Sequence, residues 1–144
     1  LGQKQGDAYE YNQFGVLIKE ARYENDTLNG VYKTYYDNGP LKFEAYYIDG
    51  NIDGVVKSFF PNGKVQKQET FILGKQNGLS TEYFEDGDVS GYSNFKSGNL
   101  NGNVVTYFQN GMMQREAEYN NGELVYENFY DEQGNKIEKS DSTE

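Results

Sequence analysis

The chain has no cysteine, no histidine, no tryptophan and only 2 prolines in 144 residues. Without cysteine there is no disulfide, no thiolate-held zinc and no thiol nucleophile. Without histidine as well, neither a Ser–His nor a Cys–His pair can be assembled. Carboxylate-pair chemistry needs neither residue, but the acidic positions vary along the chain and single out no pair. We therefore expect no catalytic residues, no cofactor and no metal site. No apolar run is long enough to cross a bilayer as a helix. Basic residues are also scarce, 13 against 23 acidic ones, for a formal net charge of −10. That balance repels phosphate backbones and anionic lipid, so nucleic acid and anionic membrane are poor partners and a basic protein surface is a good one. The first residue is Leu1 rather than Met, which points to removal of an upstream leader and an extracytoplasmic location, with a cytoplasmic one as the alternative.

What the chain does have is 17 glycines, 14 tyrosines and 9 phenylalanines. Glycine marks a repeat. Gly30, Gly54, Gly78 and Gly102 are spaced by 24 residues, as are Gly39, Gly63, Gly87 and Gly111, and Gly50, Gly74, Gly98 and Gly122. Asn29, Asp53, Asn77 and Asn101 precede the first set, and Asn38, Asn62, Asp86 and Asn110 the second. Asn-Gly and Asp-Gly tolerate the positive φ that tight hairpin turns require. In the same phase run the pairs Tyr35–Tyr36, Phe59–Phe60, Tyr83–Phe84 and Tyr107–Phe108, and the aliphatic column Leu41, Val65, Val89 and Met113. Tyr23, Tyr47, Phe71, Phe95 and Tyr119 form a further aromatic column.

The segments between turns are short, aromatic and β-branched, which predicts strands rather than helices. We expect an all-β fold: tandem 24-residue β-hairpin repeats forming one elongated antiparallel meander sheet. Its parts are a degenerate cap over about 1–29, repeats over 30–53, 54–77, 78–101 and 102–125, a C-terminal cap over 126–137 and a flexible acidic tail over 138–144. Within a repeat, a three-residue loop ending at Gly39 sets Tyr36 against Pro40, Tyr35 against Leu41 and Val31 against Ala45. One apolar, buried face then carries Val31, Tyr35, Leu41, Ala45 and Tyr47, and a mostly polar face carries Tyr32, Thr34, Tyr36, Lys42, Glu44 and Tyr46. Strand spacing gives each repeat roughly 10 Å and the array near 50 Å.

The stretches YYDNGPLKFEAYYIDGNIDG, FFPNGKVQKQETFILGKQNG, YFEDGDVSGYSNFKSGNLNG and YFQNGMMQREAEYNNGEL resemble the MORN-repeat variant family, and most closely its bacterial YwqK-type antitoxins. The resemblance covers roughly residues 6–137. It implies a β-hairpin repeat protein without catalytic residues and, in the bacterial group, an immunity or antitoxin role. It marks no specific binding residues.

Two local motifs have plain readings. Asp49-Gly50-Asn51-Ile52-Asp53-Gly54 mimics the start of a calcium loop, but the closing glutamate position is Phe60 and the other repeats lack these acids, so no metal site is expected. Asn25-Asp26-Thr27 is a formal glycosylation sequon. The binding candidates are the aromatics placed on the polar face, namely Tyr32, Tyr36, Tyr46, Phe60, Phe84 and Phe108. Uniform occupancy of the Tyr36 column favours packing, whereas exposure would make it a ribbon of interface anchors. The functional expectation is a repeat-built protein-binding module with a basic partner. A structural or cell-surface scaffold and a carbohydrate-binding surface are the alternatives. Open sheet edges also allow an edge-to-edge homodimer.

Overall fold

The computed structural model describes residues 2–138 and contains a single antiparallel sheet, with no helix among the described residues. The strands are β1 (Gly6–Tyr11), β2 (Leu17–Glu24), β3 (Thr27–Tyr35), β4 (Leu41–Ile48), β5 (Asn51–Ile52), β6 (Gly54–Phe59) and β7 (Val65–Ile72). They continue as β8 (Lys75–Gln76), β9 (Gly78–Tyr83), β10 (Val89–Lys96), β11 (Asn99–Tyr107), β12 (Met113–Asn120), β13 (Glu123–Tyr130) and β14 (Lys136–Ile137). The order is sequential, β1-β2-β3-β4-β6-β7-β9-β10-β11-β12-β13-β14, while β5 pairs with β4 and β8 with β7. This is the expected meander of tandem hairpins. Its strand path at about 4.8 Å per step is roughly 50 Å long. The segment 1–29 carries β1, β2 and the start of β3, and the segment 126–137 carries the end of β13 and β14. Apart from Glu138, the predicted tail lies outside the described residues.

Two of the three glycine columns close hairpins. At Asp37-Asn38-Gly39, the Tyr36 amide donates to the Pro40 carbonyl and the Gly39 amide to the Tyr36 carbonyl, both at 2.8 Å. Gly39 has φ 110°, and Tyr35 pairs with Leu41, as the sequence predicts. The other turn is tighter than the loose connection expected over Asp49–Gly54. Asp49 (φ 47°) and Gly50 (φ 79°) form a two-residue turn with both φ values positive, the twist that suits right-handed strands.

The first glycine column corrects the sequence reading, because it sits inside the sheet. Gly30 lies within a register break, between Leu28, which pairs with Tyr23, and Tyr32, which pairs with Ala21. A Cβ there would stand 2.8 Å from Arg22 Cδ, at φ 122°. Each such glycine is faced by an aromatic: Gly6 by Tyr23, Gly30 by Tyr47, Gly54 by Phe71, Gly78 by Phe95 and Gly102 by Tyr119. An aromatic cross-strand partner can restore packing that a strand glycine forfeits.

A second bulge overturns the predicted faces. Tyr35 pairs with Leu41 but Thr34 pairs with Phe43, so Lys42 is the extra residue. Val31 therefore opposes Tyr46, and Tyr32 opposes Ala45. The first face carries Tyr32, Thr34, Phe43, Ala45 and Tyr47, and the second carries Val31, Lys33, Tyr35, Leu41, Glu44 and Tyr46. Neither face is wholly apolar. Along the middle of the first face Ala21, Ala45, Val56, Ser80, Val104 and Ala117 are buried, with Ala21 and Ala117 at 1% exposure. No large side chain among the described residues is fully buried. The sheet thus gains its apolar burial from small residues roofed by neighbouring rings. Two such contacts are Tyr32 edge-on to Phe43 at 6.2 Å and to Tyr47 at 5.7 Å.

The asparagine columns stitch repeat to repeat. The Gly50, Gly74, Gly98 and Gly122 amides each donate to a carbonyl of the preceding repeat, on Leu28, Ile52, Gln76 and Leu100. The residue before the first glycine column accepts from the neighbouring turn: Asp53 Oδ1 takes the Leu73 amide at 2.9 Å, and Asn101 Oδ1 the Asn121 amide at 3.0 Å. On the opposite border Asn62 Nδ2 donates to the Glu85 carbonyl and Asn110 Nδ2 to the Glu132 carbonyl. Both long borders of the sheet are hydrogen-bonded ladders, which is how a single layer holds adjacent repeats in one register.

Candidate binding surface

The corrected register divides the sequence-predicted binding set. Tyr46 lies on the second face and is exposed. Tyr32 lies on the first face, packed against Phe43 and Tyr47. Tyr36, Phe60, Phe84 and Phe108 are half-buried, and strand alternation continues them onto the first face. Tyr36 Oη donates to the Phe59 carbonyl of the next repeat at 2.6 Å, and Lys42 Nζ lies 5.6 Å from its ring centre. The column ends at both terminal repeats. There Asn12 and Asp131 occupy the corresponding place and turn their side chains back onto their own loops, to the amides of Phe14 and Val16 and of Gln133 and Asn135. The six residues therefore do not form one surface.

Phe60 borders a shallow, open groove of about 370 Å³ with Ser58, Gln66, Lys67, Glu82, Tyr83 and Ser90. Lys67 bridges Glu69 at 3.1 Å and Glu82 at 3.4 Å. Partial burial works to lower the Lys67 pKa, but the two carboxylates outweigh it and hold the ammonium above its ordinary value. The groove thus presents a fixed cation neutralised by two carboxylates. At the C-terminal end of the same face Arg115 bonds Glu127 Oε2 at 3.0 Å and Tyr119 Oη at 3.0 Å. Among the described residues no cluster of acids could hold a metal ion. In the calcium-loop mimic, Asp53 Oδ1 accepts from the Leu73 amide and Asp49 Oδ1 from Asn29 Nδ2.

The sequence reading missed a patch on the second face. Three columns at the 24-residue period project there: Asp7, Val31, Val55, Leu79 and Asn103; Arg22, Tyr46, Thr70, Asn94 and Glu118; Glu24, Ile48, Ile72, Lys96 and Asn120. Only the central strands, β3 to β9, carry apolar residues in them. Val31, Tyr46, Ile48, Val55, Ile72 and Leu79 are exposed, from 37% at Ile48 to 53% at Ile72. The signal was present as non-uniformity within a column, but it becomes a surface only once the bulge at Lys42 fixes the face.

The border of three-residue turns is acidic and exposed, with Asp37, Glu85, Asp86, Asp88 and Glu132. Lys64 and Gln109 both reach Asp86, through its carbonyl and its carboxylate.

Two solved structures of TarM share a distant likeness. One is a point mutant of S. aureus TarM in complex with Fondaparinux, alpha-GlcNAc-glycerol and UDP, at 15% identity and a TM-score of 0.42, covering 70% of this chain and 20% of that one. The other is TarM itself, at 16% identity and a TM-score of 0.33, covering 85% of this chain and 20% of that one. The chain thus spans about a fifth of the length of these proteins. No curated protein matches. Residues 28–49, 52–72 and 100–121 each match the family described as the MORN repeat variant, so three of the tandem units are matched as repeats of that kind.

Proposed function

We propose that the chain is a non-catalytic binding module whose partner is a basic protein surface. The observation that carries this reading is the single-layer sheet. Folds ordinarily bury each sheet face against a second layer, and here both faces of a long ribbon lack one, with no large side chain fully buried among the described residues. The matched repeat type is typically a binding module. The net charge of −10 and the acidic turn border select for a cationic counterpart, because charge complementarity speeds and filters association. An immunity-type role, masking a basic toxin, is the sharpest form of this reading.

The test is capture on the immobilised chain at low salt followed by a salt gradient. The expected result is a basic protein eluting as salt rises. Its association rate should fall when Glu85→Gln, Asp86→Asn and Asp88→Asn are combined. A bound protein that is acidic, or one that salt does not release, would overturn the reading. Saccharide-induced quenching of tyrosine fluorescence with no protein captured would favour the carbohydrate-binding alternative.

A further inference from the structure

We propose that the apolar patch on the second face is the contact between two copies of this chain, packed face to face about a two-fold axis that runs parallel to the strands along β6. This is independent of the basic-partner reading and uses a different surface. The first argument is that the fold does not require the patch. Columns that serve the fold are uniform, such as the five glycine–aromatic pairs. The three patch columns are apolar only on the central strands and turn charged or polar on both sides, through Asp7, Arg22 and Glu24 before and Asn94, Lys96, Asn103 and Glu118 after. Tyr126 is a further exposed ring on this face, four strands beyond the patch.

The second argument is self-complementarity. Rotation about an axis along β6 lays each strand over the strand equally far on the other side and keeps its direction. Val55 then meets its own copy, Val31 meets Leu79, Ile48 meets Ile72 and Tyr46 meets Thr70. Three strands out from the axis, Glu24 on β2 lies at the same height as Lys96 on β10. Equivalent repeat positions guarantee that height, because 24, 48, 72 and 96 form one column. Glu24 and Lys96 are both exposed. The turn between β2 and β3 adds Asp26, which falls near Lys75 of β8. An apolar centre inside a rim of opposite charges is the arrangement of a specific interface. It is isologous, so it closes at two copies. In the adjacent row Lys57 meets Lys57 across the axis, each beside its own cross-strand neighbour Glu44. The sheets would pack about 10 Å apart, as aligned sheets do.

Zero-length carbodiimide cross-linking of the native chain, read by mass spectrometry, gives a direct test. Within one chain Glu24 and Lys96 are six strand spacings apart, about 29 Å, so a Glu24–Lys96 cross-link can form only between copies. We expect that link, and a monomer–dimer equilibrium in sedimentation. Val55→Glu should abolish the dimer while circular dichroism keeps the β spectrum. Glu24→Lys alone should weaken the dimer about tenfold, and Glu24→Lys with Lys96→Glu should restore it, a rescue that misfolding cannot mimic. A chain that sediments as a monomer at all concentrations overturns the proposal. So does a dimer indifferent to Val55→Glu, which would point to pairing along β1. If the chain is a monomer and Val55→Glu instead lowers binding of the basic partner, the patch belongs to that partner and the two-fold contact is rejected.

Discussion

At the residue scale, asparagine and aspartate act here as inter-repeat fasteners as well as turn formers. Asp53 accepts the Leu73 amide, and the same position in a later repeat, Asn101, accepts the Asn121 amide. A turn amide left without its acceptor resembles a lost helix cap. Asp53→Ala should therefore cost about 1 kcal/mol in urea denaturation, and Asp53→Asn should keep most of the stability, since Asn101 does the same work with an amide. Tyr36 is a second case. Its hydroxyl bonds the Phe59 carbonyl, but Phe60, Phe84 and Phe108 hold the equivalent place without one. Tyr36→Phe should cost no more than about 1 kcal/mol in the same assay, because Phe59 also offers its carbonyl to solvent once the partner is gone. Both positions were legible as columns in the sequence. Their partners were not, because each partner lies 20 or more residues away, on another repeat.

At the element scale, the three-residue loops could be read from Asn-Gly and Asp-Gly, and the pairing of Tyr35 with Leu41 followed from them. The strand bulge one residue later could not be read. Its extra position is Lys42, Gln66, Ser90 or Gln114 in successive repeats, and such a mixture carries no backbone signature. One unmarked residue moved Val31 and Tyr46 onto a common face and separated Tyr46 from Tyr32, as a register slip of one must. The C-terminal hairpin differs from the rest in its electrostatics. Glu116 accepts from Tyr130 Oη at 2.6 Å and from Asn128 Nδ2 at 3.0 Å, and these bonds hold its carboxyl below the ordinary value. Asp131 is lowered likewise by Asn135, through its side chain and its backbone amide. A carboxyl lowered in the folded state stabilises that state above its unfolded pKa, and the contribution disappears as pH falls through the lowered one. Acidification below the normal carboxylate range should therefore loosen β13–β14 before the central repeats. Amide exchange over Glu123–Ile137 would show this, and Glu116→Gln should flatten much of the dependence. Both groups are solvent-facing, so the effect should be local fraying, with global stability little changed.

At the scale of the whole molecule, the chain is a one-dimensional object. Every strand pairs only with a neighbour in the meander, so stability should be close to a sum of repeat and junction terms. That predicts tolerance to losing a whole period. Excising residues 78–101 joins Asn77 to Gly102 and keeps every glycine column in phase. The new junction places β11 beside β7. Gln68, which faces Thr81, would face Val105, and Lys67 would face Thr106 in place of Glu82. The loss is the exposed Lys67–Glu82 ion pair, which is worth little; the bulges, loops and stitching amides are all retained. The shortened chain should keep an all-β circular-dichroism spectrum and a cooperative urea transition, and small-angle scattering should find it shorter by roughly 10 Å. Excising half a period, such as residues 78–89, should instead unfold the C-terminal part. It would set β10 against β7, two strands that occupy the same place in the repeat, so the glycine and aromatic columns and the stitching turns would fall out of step. If both deletions behaved alike, stability would have to come from something other than the phase of the repeat.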